Sequence, residues 1–338
     1  MGANFTSLSR SNMKRPIKID SQLLSSLKIL SNILKDDGSI LERHVLLKNN
    51  WCTATNGILS IGEPIVEDLI AAPNGLLMRE ALAKCGTSFS ITQLPHTLEI
   101  KGGRFKAVIP CIPPEDLQGA FPDPPVASLD DRLKVSLVAV APLALDENSV
   151  VTASVLIHNG TVTATDRKVI IQHFHGIDLP PNLTLPKTLI EPLINNTKKL
   201  VGFGYSKSSC TFHYEDKSWI KTQHFAEQWP DINKILDRKI NAHNIPEDFY
   251  NAIDALEKFS EDGFVRCMSN KMLSHDEERK GANYEVYGLP QGPTLNIKQM
   301  KVIKPLIKTV DFLVPHNGNH MMMMFMGDGV RGAVAGRI

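Results

Sequence analysis

The sequence predicts an α+β chain made of three copies of one domain, each with two helices packed on antiparallel sheets. Length is the first reason: 338 residues, 42% of them hydrophobic, are more than one core usually organises. Internal similarity is the second. Trp51-Cys52-Thr53-Ala54-Thr55-Asn56-Gly57 resembles Thr161-Val162-Thr163-Ala164-Thr165-Asp166-Arg167, with Asn56 and Asp166 standing 110 residues apart. Phe121-Pro122-Asp123 resembles Trp229-Pro230-Asp231, an interval of 108, and another 108 residues follow Pro230. The third reason is that helical and strand-like apolar patterns follow one another in the same order within each interval. The boundaries read as an extension at 1–16, expected to be flexible, then domains at 17–126, 127–240 and 241–338.

Each domain opens with a helix. In the first, Leu23, Leu24, Leu27, Leu30, Ile33 and Leu34 fall on one stripe, with Asp20 and Ser21 as candidate N-caps. The second has Leu133, Leu137, Val138 and Val140; the third has Phe249, Ile253, Leu256 and Phe259 behind the helix start Pro246-Glu247-Asp248. Hairpins come next. Asn159-Gly160 joins strands over 150–157 and 161–165, and Ser269-Asn270 joins 263–268 to 272–275. Second helices follow over 76–85, 187–198 and 297–309, the last two interrupted by Pro192 and Pro305. Closing strands span 89–91, 97–101 and 105–110 with a Gly102-Gly103 turn, then 200–204, 210–214 and 219–222, then 312–315, 321–326 and 330–338.

The balance of 37 Lys and Arg against 36 Asp and Glu gives no global sign of a nucleic-acid binder, so any such contact must come from a local patch. The predicted helices supply one. Lys28 and Lys35 are expected on the first helix, Arg79 and Lys84 on the second; Lys187, Lys198 and Lys199 flank the matching helix of the second copy; Lys298, Lys301, Lys304 and Lys308 recur at helical spacing in the third. Acids gather in loops, as at Glu115-Asp116, Asp146-Glu147 and Asp276-Glu277-Glu278. Cations on a helix face meet phosphates without reading bases, which suits a protein that slides. For each lysine alone, an ordinary solvated helix face is the better explanation; repeated on both helices of a repeated unit, the lysines point to function.

Other chemistries find less support. Cys52, Cys85, Cys111, Cys210 and Cys267 are scattered and never paired as C-x-x-C, which fits free thiols in a reducing cytoplasm. No apolar run has a membrane-spanning length, and residues 1–12 lack a signal core, although Met1-Gly2 with Thr6 formally fits a myristoylation pattern. Gly202-Phe203-Gly204 lacks the third glycine of a dinucleotide loop. His173 with His175, and His316 with His320 around Asn317-Gly318-Asn319, want a third metal ligand. No cofactor or metal is expected. A metal-dependent nuclease, built from carboxylates that converge only in three dimensions, stays as the enzymatic alternative.

Together the repeat and its motifs resemble the β subunit of bacterial DNA polymerase III, the DNA sliding clamp, in a divergent or phage-like form. The resemblance covers 17–338. Ala164-Thr165-Asp166 is similar to the family's Ala-Thr-Asp-Gly-His-Arg-Leu, Trp229-Pro230-Asp231 to its Phe-Pro-Asp, Leu295-Asn296-Ile297 to the segment opening its last helix, and Arg337-Ile338 to the end of its Met-Pro-Met-Arg-Leu. It implies a non-catalytic processivity factor, whose two protomers join head to tail, domain one to domain three, as a closed ring around duplex DNA. It also implies a pocket for polymerase and clamp-loader peptides, carried over to Thr165, Arg167, Lys168, Ile170, Asn296, Val334, Gly336 and Arg337. Here Arg167-Lys168-Val169-Ile170 replaces Gly-His-Arg-Leu and Val334-Ala335-Gly336 replaces Met-Pro-Met, so the tail lacks the methionines of an adaptable apolar floor, and a pocket that is shallower, more basic or tuned to a different peptide is expected. The bland alternative makes Thr165 and Asp166 a strand-end turn. A clamp-fold adaptor that does not encircle DNA is the second functional alternative.

Overall fold

The computed structural model describes residues 16–18, 22–85, 88–145, 149–225, 228–276, 280–316 and 320–336. The expected extension (but for Pro16), the caps Asp20 and Ser21, the acids Asp146, Glu147, Glu277 and Glu278, the turn at 317–319, and Arg337-Ile338 lie outside them.

One succession of elements occurs three times. The first copy runs β1 (Pro16–Lys18), α1 (Gln22–Leu30), a short α2 (Ile40–Arg43), β2 (Leu46–Lys48), β3 (Trp51–Thr55), β4 (Leu59–Pro64), β5 (Ala72–Pro73), α3 (Gly75–Ala83), β6 (Ser88–Leu94), β7 (Thr97–Gly102) and β8 (Phe105–Ile112). The second runs β9 (Pro125–Ser128), α4 (Asp131–Val140), β10 (Ser154–His158), β11 (Thr161–Thr165), β12 (Val169–Phe174), β13 (Leu183–Pro186), α5 (Lys187–Asn195), β14 (Leu200–Tyr205), β15 (Ser209–Tyr214) and β16 (Trp219–Gln223). After a connecting α6 (Asn233–Leu236), the third runs β17 (His243–Asn244), α7 (Phe249–Leu256), β18 (Phe264–Met268), β19 (Lys271–Leu273), β20 (Asn283–Glu285), β21 (Thr294–Asn296), α8 (Ile297–Ile303), β22 (Thr309–His316), β23 (His320–Gly327) and β24 (Val330–Ala335). Each copy is thus two strand–helix–three-strand halves. In the second copy each half lends its leading strand to the other's sheet: β9 pairs with β14, and β13 with β10.

The chain divides into two compact units, Met1–Ser128 with Lys198–Gln223, and Leu129–Thr197 with His224–Ile338. The first holds a five-stranded sheet, β1-β6-β7-β8-β5, and a seven-stranded one, β2-β3-β4-β16-β15-β14-β9. The second holds an eight-stranded sheet, β13-β10-β11-β12-β24-β23-β22-β17, and a four-stranded one, β20-β19-β18-β21. Segment 127–240 contributes to both units, because its strands continue the sheets begun by its neighbours: β16 pairs with β4, and β12 with β24, both antiparallel.

The opening helices share one buried pattern: Leu23, Ser26, Leu27 and Leu30; Leu133, Ser136, Leu137 and Val140; Phe249, Ala252, Ile253 and Leu256. A small residue at the second position lets the helix approach the sheet beneath it, α1 on β3 and β4, α4 on β11 and β12. The stripe over-reaches at two places. Val138 is 56% exposed, and Phe259, in a 3-10 turn past α7, is 58% exposed. Several ends also differ from expectation. α1 stops at Leu30, with Ile33 and Leu34 buried beyond it. α5 stops at Asn195. α8 stops at Ile303, where Pro305, which has no N–H to donate, tightens the chain into a 3-10 turn. The β10–β11 hairpin turns where expected, with Asn159 and Gly160 both at positive φ (48° and 72°), as a type I′ turn requires.

Candidate functional site

The Ala-Thr-Asp segment closes a tight turn. Thr165 Oγ1 donates to the Val169 carbonyl at 2.7 Å and accepts the Arg167 amide at 3.0 Å. Asp166 Oδ1 accepts the amides of Lys168 and Val169 at 2.9 and 2.6 Å. Copy one repeats this bond for bond: Thr55 donates to the Leu59 carbonyl and accepts the Gly57 amide, and Asn56 accepts the amides of Ile58 and Leu59. The third turn residue has positive φ in both, 90° at Gly57 and 73° at Arg167. Arginine holds a conformation that suits glycine better, at some cost in backbone strain. Thr165 and Asp166 therefore shape the turn, as the bland reading had it. Asp166 also reaches further: its Oδ2 accepts Gln299 Nε2 at 2.7 Å. Gln299 lies in the first turn of α8, whose N-cap Asn296 accepts the Gln299 amide at 3.1 Å. Thr165, Asp166 and Asn296 are thus brought together, with Asn296 occupied as a cap.

The eight-stranded sheet has two faces, and register assigns each residue to one of them. Val169 pairs with Val334 and Ile170 with Ala333, so Ile170 and Val334 point to opposite sides. This corrects the expected pocket. Val334, fully buried, belongs to the face that carries α4, not to the face of Ile170. Gly336 is held by packing: a Cβ there would meet Pro293. On the face of Ile170, Lys168 lies beside Ala335 (amide to carbonyl, 2.7 Å), then Ile170 beside Ala333, then Gln172 beside Arg331. Across β24 stand Met322, Met324 and Met326, opposite Ala335, Ala333 and Arg331. The tail itself has no methionine; those of β23 stand beside it instead, with Met322 and Met324 buried at 2% and 3% exposure.

A strap crosses this face. It leaves the β13 edge at Phe225, whose amide donates to Thr184 at 2.9 Å, and ends as β17 on β22. Trp229, Ile232, Ile235, Leu236 and Ile240 pack onto Leu156, Ile170, Val314, Met322, Met324 and Ala333. Arg331 fastens it through Asp237 at 2.7 Å and is itself steadied by Gln172 Oε1 at 2.7 Å. Clefts of about 480 and 350 Å³ flank it, sharing His158 and Asn233. The first unit has an equivalent strap. Leu117 lies near Leu46, Thr53 and Thr55, and the buried Asp123 accepts bonds from Ser209, Thr211 and Lys221, each at 3.0 Å, before the chain becomes β9. Phe121-Pro122-Asp123 and Trp229-Pro230-Asp231 are the matching parts of the two straps.

Lys187 aside, the ten other predicted cations do not form one free surface. Lys28 on α1, Arg79 on α3 and Lys298 on α8 are at least partly exposed, as are Lys84 just past α3 and Lys199 past α5; none has an acidic partner among the described residues. The other five are paired. Lys35 lies past α1, in a turn, and meets Glu42 at 3.1 Å. Lys198, also off its helix, is half-buried between Glu63 at 2.5 Å and Asp216 at 2.7 Å, with Ser218 Oγ at 3.0 Å. Lys301 meets Glu257 and Asp254, at 2.7 and 3.3 Å. Lys304 approaches Asp254 at 3.6 Å and covers the Tyr250 ring. Lys308 is beyond the helix and meets Asp328 at 2.6 Å. The helical spacing expected of the last four holds only as far as Ile303. Lys187 opens α5 half-buried.

No protein-family model matches the sequence, and no curated protein matches it. Solved structures do. The DNA polymerase III subunit β sliding clamp of Pseudomonas aeruginosa superposes with a TM-score of 0.77 at 13% identity, over 97% of this chain and 100% of that one. The Bacillus subtilis DNA polymerase sliding clamp gives 0.77 at 14%, over 97% and 100%. The Helicobacter pylori β clamp bound to a DNA ligase peptide gives 0.77 at 15%, over 96% and 99%. The chain has the sliding-clamp fold. At such identities the likeness establishes architecture, divergent in sequence, and leaves activity to the residues.

Within this clamp fold, the strap residues were not picked out from sequence as functional, though Trp229, Ile232, Leu236 and Ile240 repeat at helical spacing. Glu63, 3% exposed, was also missed; burial raises its carboxyl above the ordinary range, with Lys198 opposing. The histidines have structural roles: His173 Nδ1 bonds the fully buried Ser136 Oγ at 2.8 Å, and His175 Nδ1 accepts the Ile177 amide at 3.1 Å. Among the described residues, no three His, Cys, Asp or Glu side chains are grouped to hold a metal, and no helix is long and apolar enough to cross a membrane. The five cysteines are free; burial pushes the thiols up, that of Cys111 to about 11.

Proposed function

We propose that the protein is a DNA sliding clamp, a non-catalytic processivity factor that closes head to tail around duplex DNA and tethers a polymerase. The observation that carries the reading is a junction made twice within the chain. The last strand of the first hairpin group pairs with the closing strand of the next copy, β4 with β16 and β12 with β24. The equivalents left over are β20, at the edge of its sheet, and β8, bonded on that side only from Pro110 to Ile112 among the described residues. Edge strands with free amides and carbonyls seek partners. β20 of one protomer meeting β8 of the next repeats the junction and closes a ring once the rotation is satisfied. Three domains per chain, at 17–126, 127–240 and 241–338, make two protomers the natural number.

Lys28, Arg79, Lys84, Lys199 and Lys298 are the cations proposed to face phosphate, while the paired Lys35, Lys198, Lys301, Lys304 and Lys308 contribute less. The peptide-docking face is proposed at the outer surface around Lys168, Ile170, Ala335 and the strap, by analogy with the Helicobacter pylori clamp and its DNA ligase peptide. Retention on closed circular DNA, compared with the same DNA linearised, tests the reading. A clamp slides off free ends and stays on circles; equal release from both, with or without a loader, leaves the adaptor reading instead.

A further inference from the structure

The docking face carries a charge that the helix face does not explain. Lys168 is exposed and stands on the same side of the sheet as Ile170, two residues before it. Lys234 and Lys239 are exposed on the strap, each directly before one of its apolar anchors, Ile235 and Ile240. Arg167 is exposed at the adjoining turn. The acids nearby are engaged: Asp166 with two backbone amides and Gln299, Asp237 with Arg331. α4 packs on the opposite side of β11 and β12, so cations of the strapped side cannot serve phosphates lying against that helix. Ile170, Trp229, Ile235 and Ile240 meanwhile remain only partly buried, and Ala335 is exposed. Apolar ground bordered by lysines complements a ligand that is apolar in the middle and negative at its flanks.

We propose that this margin binds an acidic peptide: an extended segment of a partner protein whose apolar side chains are flanked by Asp or Glu. The inference rests on the docking reading above and adds the partner's chemistry to it. Alternate residues of such a segment would turn toward Ile170 and Ile235 while its carboxylates meet Lys168 and Lys234. Exposed ion pairs give modest, salt-sensitive gains, so selectivity rather than raw affinity is their main effect.

The test uses the full chain and three fluorescein-labelled decapeptides with one Leu- and Phe-containing centre, flanked by Asp, Asn or Lys, followed by fluorescence anisotropy. The Asp-flanked peptide should bind roughly three- to tenfold tighter than the Asn-flanked one at low salt, converging with it at high salt. In Lys168→Glu with Lys234→Glu, that preference should pass to the Lys-flanked peptide; Lys168→Gln with Lys234→Gln should merely abolish it, and thermal melting checks that both variants fold. Equal affinity for Asp and Asn flanks, or a preference that survives the glutamates, overturns the acidic-peptide inference and leaves the docking face standing. Failure of all three peptides to bind overturns the docking reading itself.

Discussion

His175 shows what one buried side chain does to the pH response. It is 2% exposed, and burial holds its pKa down to about 4, Arg132 and His173 adding repulsion while the Thr161 backbone opposes them. An unfolded histidine titrates near 6.5, so between about pH 6.5 and 4 the unfolded chain binds the proton that the folded chain refuses. Stability should therefore be complete above pH 6.5 and fall as pH drops to 4, by at most about 3 kcal/mol from this residue. Urea midpoints across that window should flatten in His175→Asn, which keeps an acceptor for the Ile177 amide; an unchanged slope assigns the loss elsewhere. The Glu63–Lys198 pair behaves differently, because removing one partner strands the other. Lys198→Met leaves a carboxylate at 3% exposure without its cation and should cost roughly 2–4 kcal/mol. Glu63→Gln in the same chain should recover much of that loss in urea melts.

Asn296 separates two roles at the level of an element. As the N-cap of α8 it satisfies the Gln299 amide, so Asn296→Ala should lower stability by about 1 kcal/mol and Asn296→Ser should restore it. If the serine variant regains stability in thermal melts yet loses peptide affinity, Asn296 touches the ligand as well. The helices and hairpins were legible because their signals are local. The stripe from Leu23 to Leu30 and the Asn159-Gly160 turn each declare themselves within a dozen residues. What register decides was not legible. Nothing in the tail itself says that Val334 and Ile170 face opposite ways; that depends on which residue of β24 meets Val169. Nor does Lys198 announce Glu63, 135 residues earlier. The same non-locality turned a row of helical lysines into ion pairs, since Asp254 and Glu257 reach Lys301 only after α7 and α8 have folded.

At the scale of the whole molecule, the prediction concerns the edges. Val108 on β8 is 53% exposed, on the strand proposed to receive β20 of another protomer. Val108→Asp should leave the chain folded and shift its mass in solution, by light scattering, from the dimer to the monomer; an unchanged dimer would place the interface elsewhere. The straps then acquire a mechanical meaning. Inside the chain, both inter-copy seams are crossed by covalent backbone, Leu117 to Asp123 over the seven-stranded sheet and Phe225 to His243 over the eight-stranded one. A seam between two protomers has hydrogen bonds and side chains but no peptide chain sewn across it. Under tension the sewn seams must unpick a half-buried tryptophan anchor or a carboxylate with three donors before they part, whereas the unsewn one simply unzips. In the proposed ring, a machine that opened it to admit DNA would find its least resistance there, and the strapped face would keep its shape while it did so.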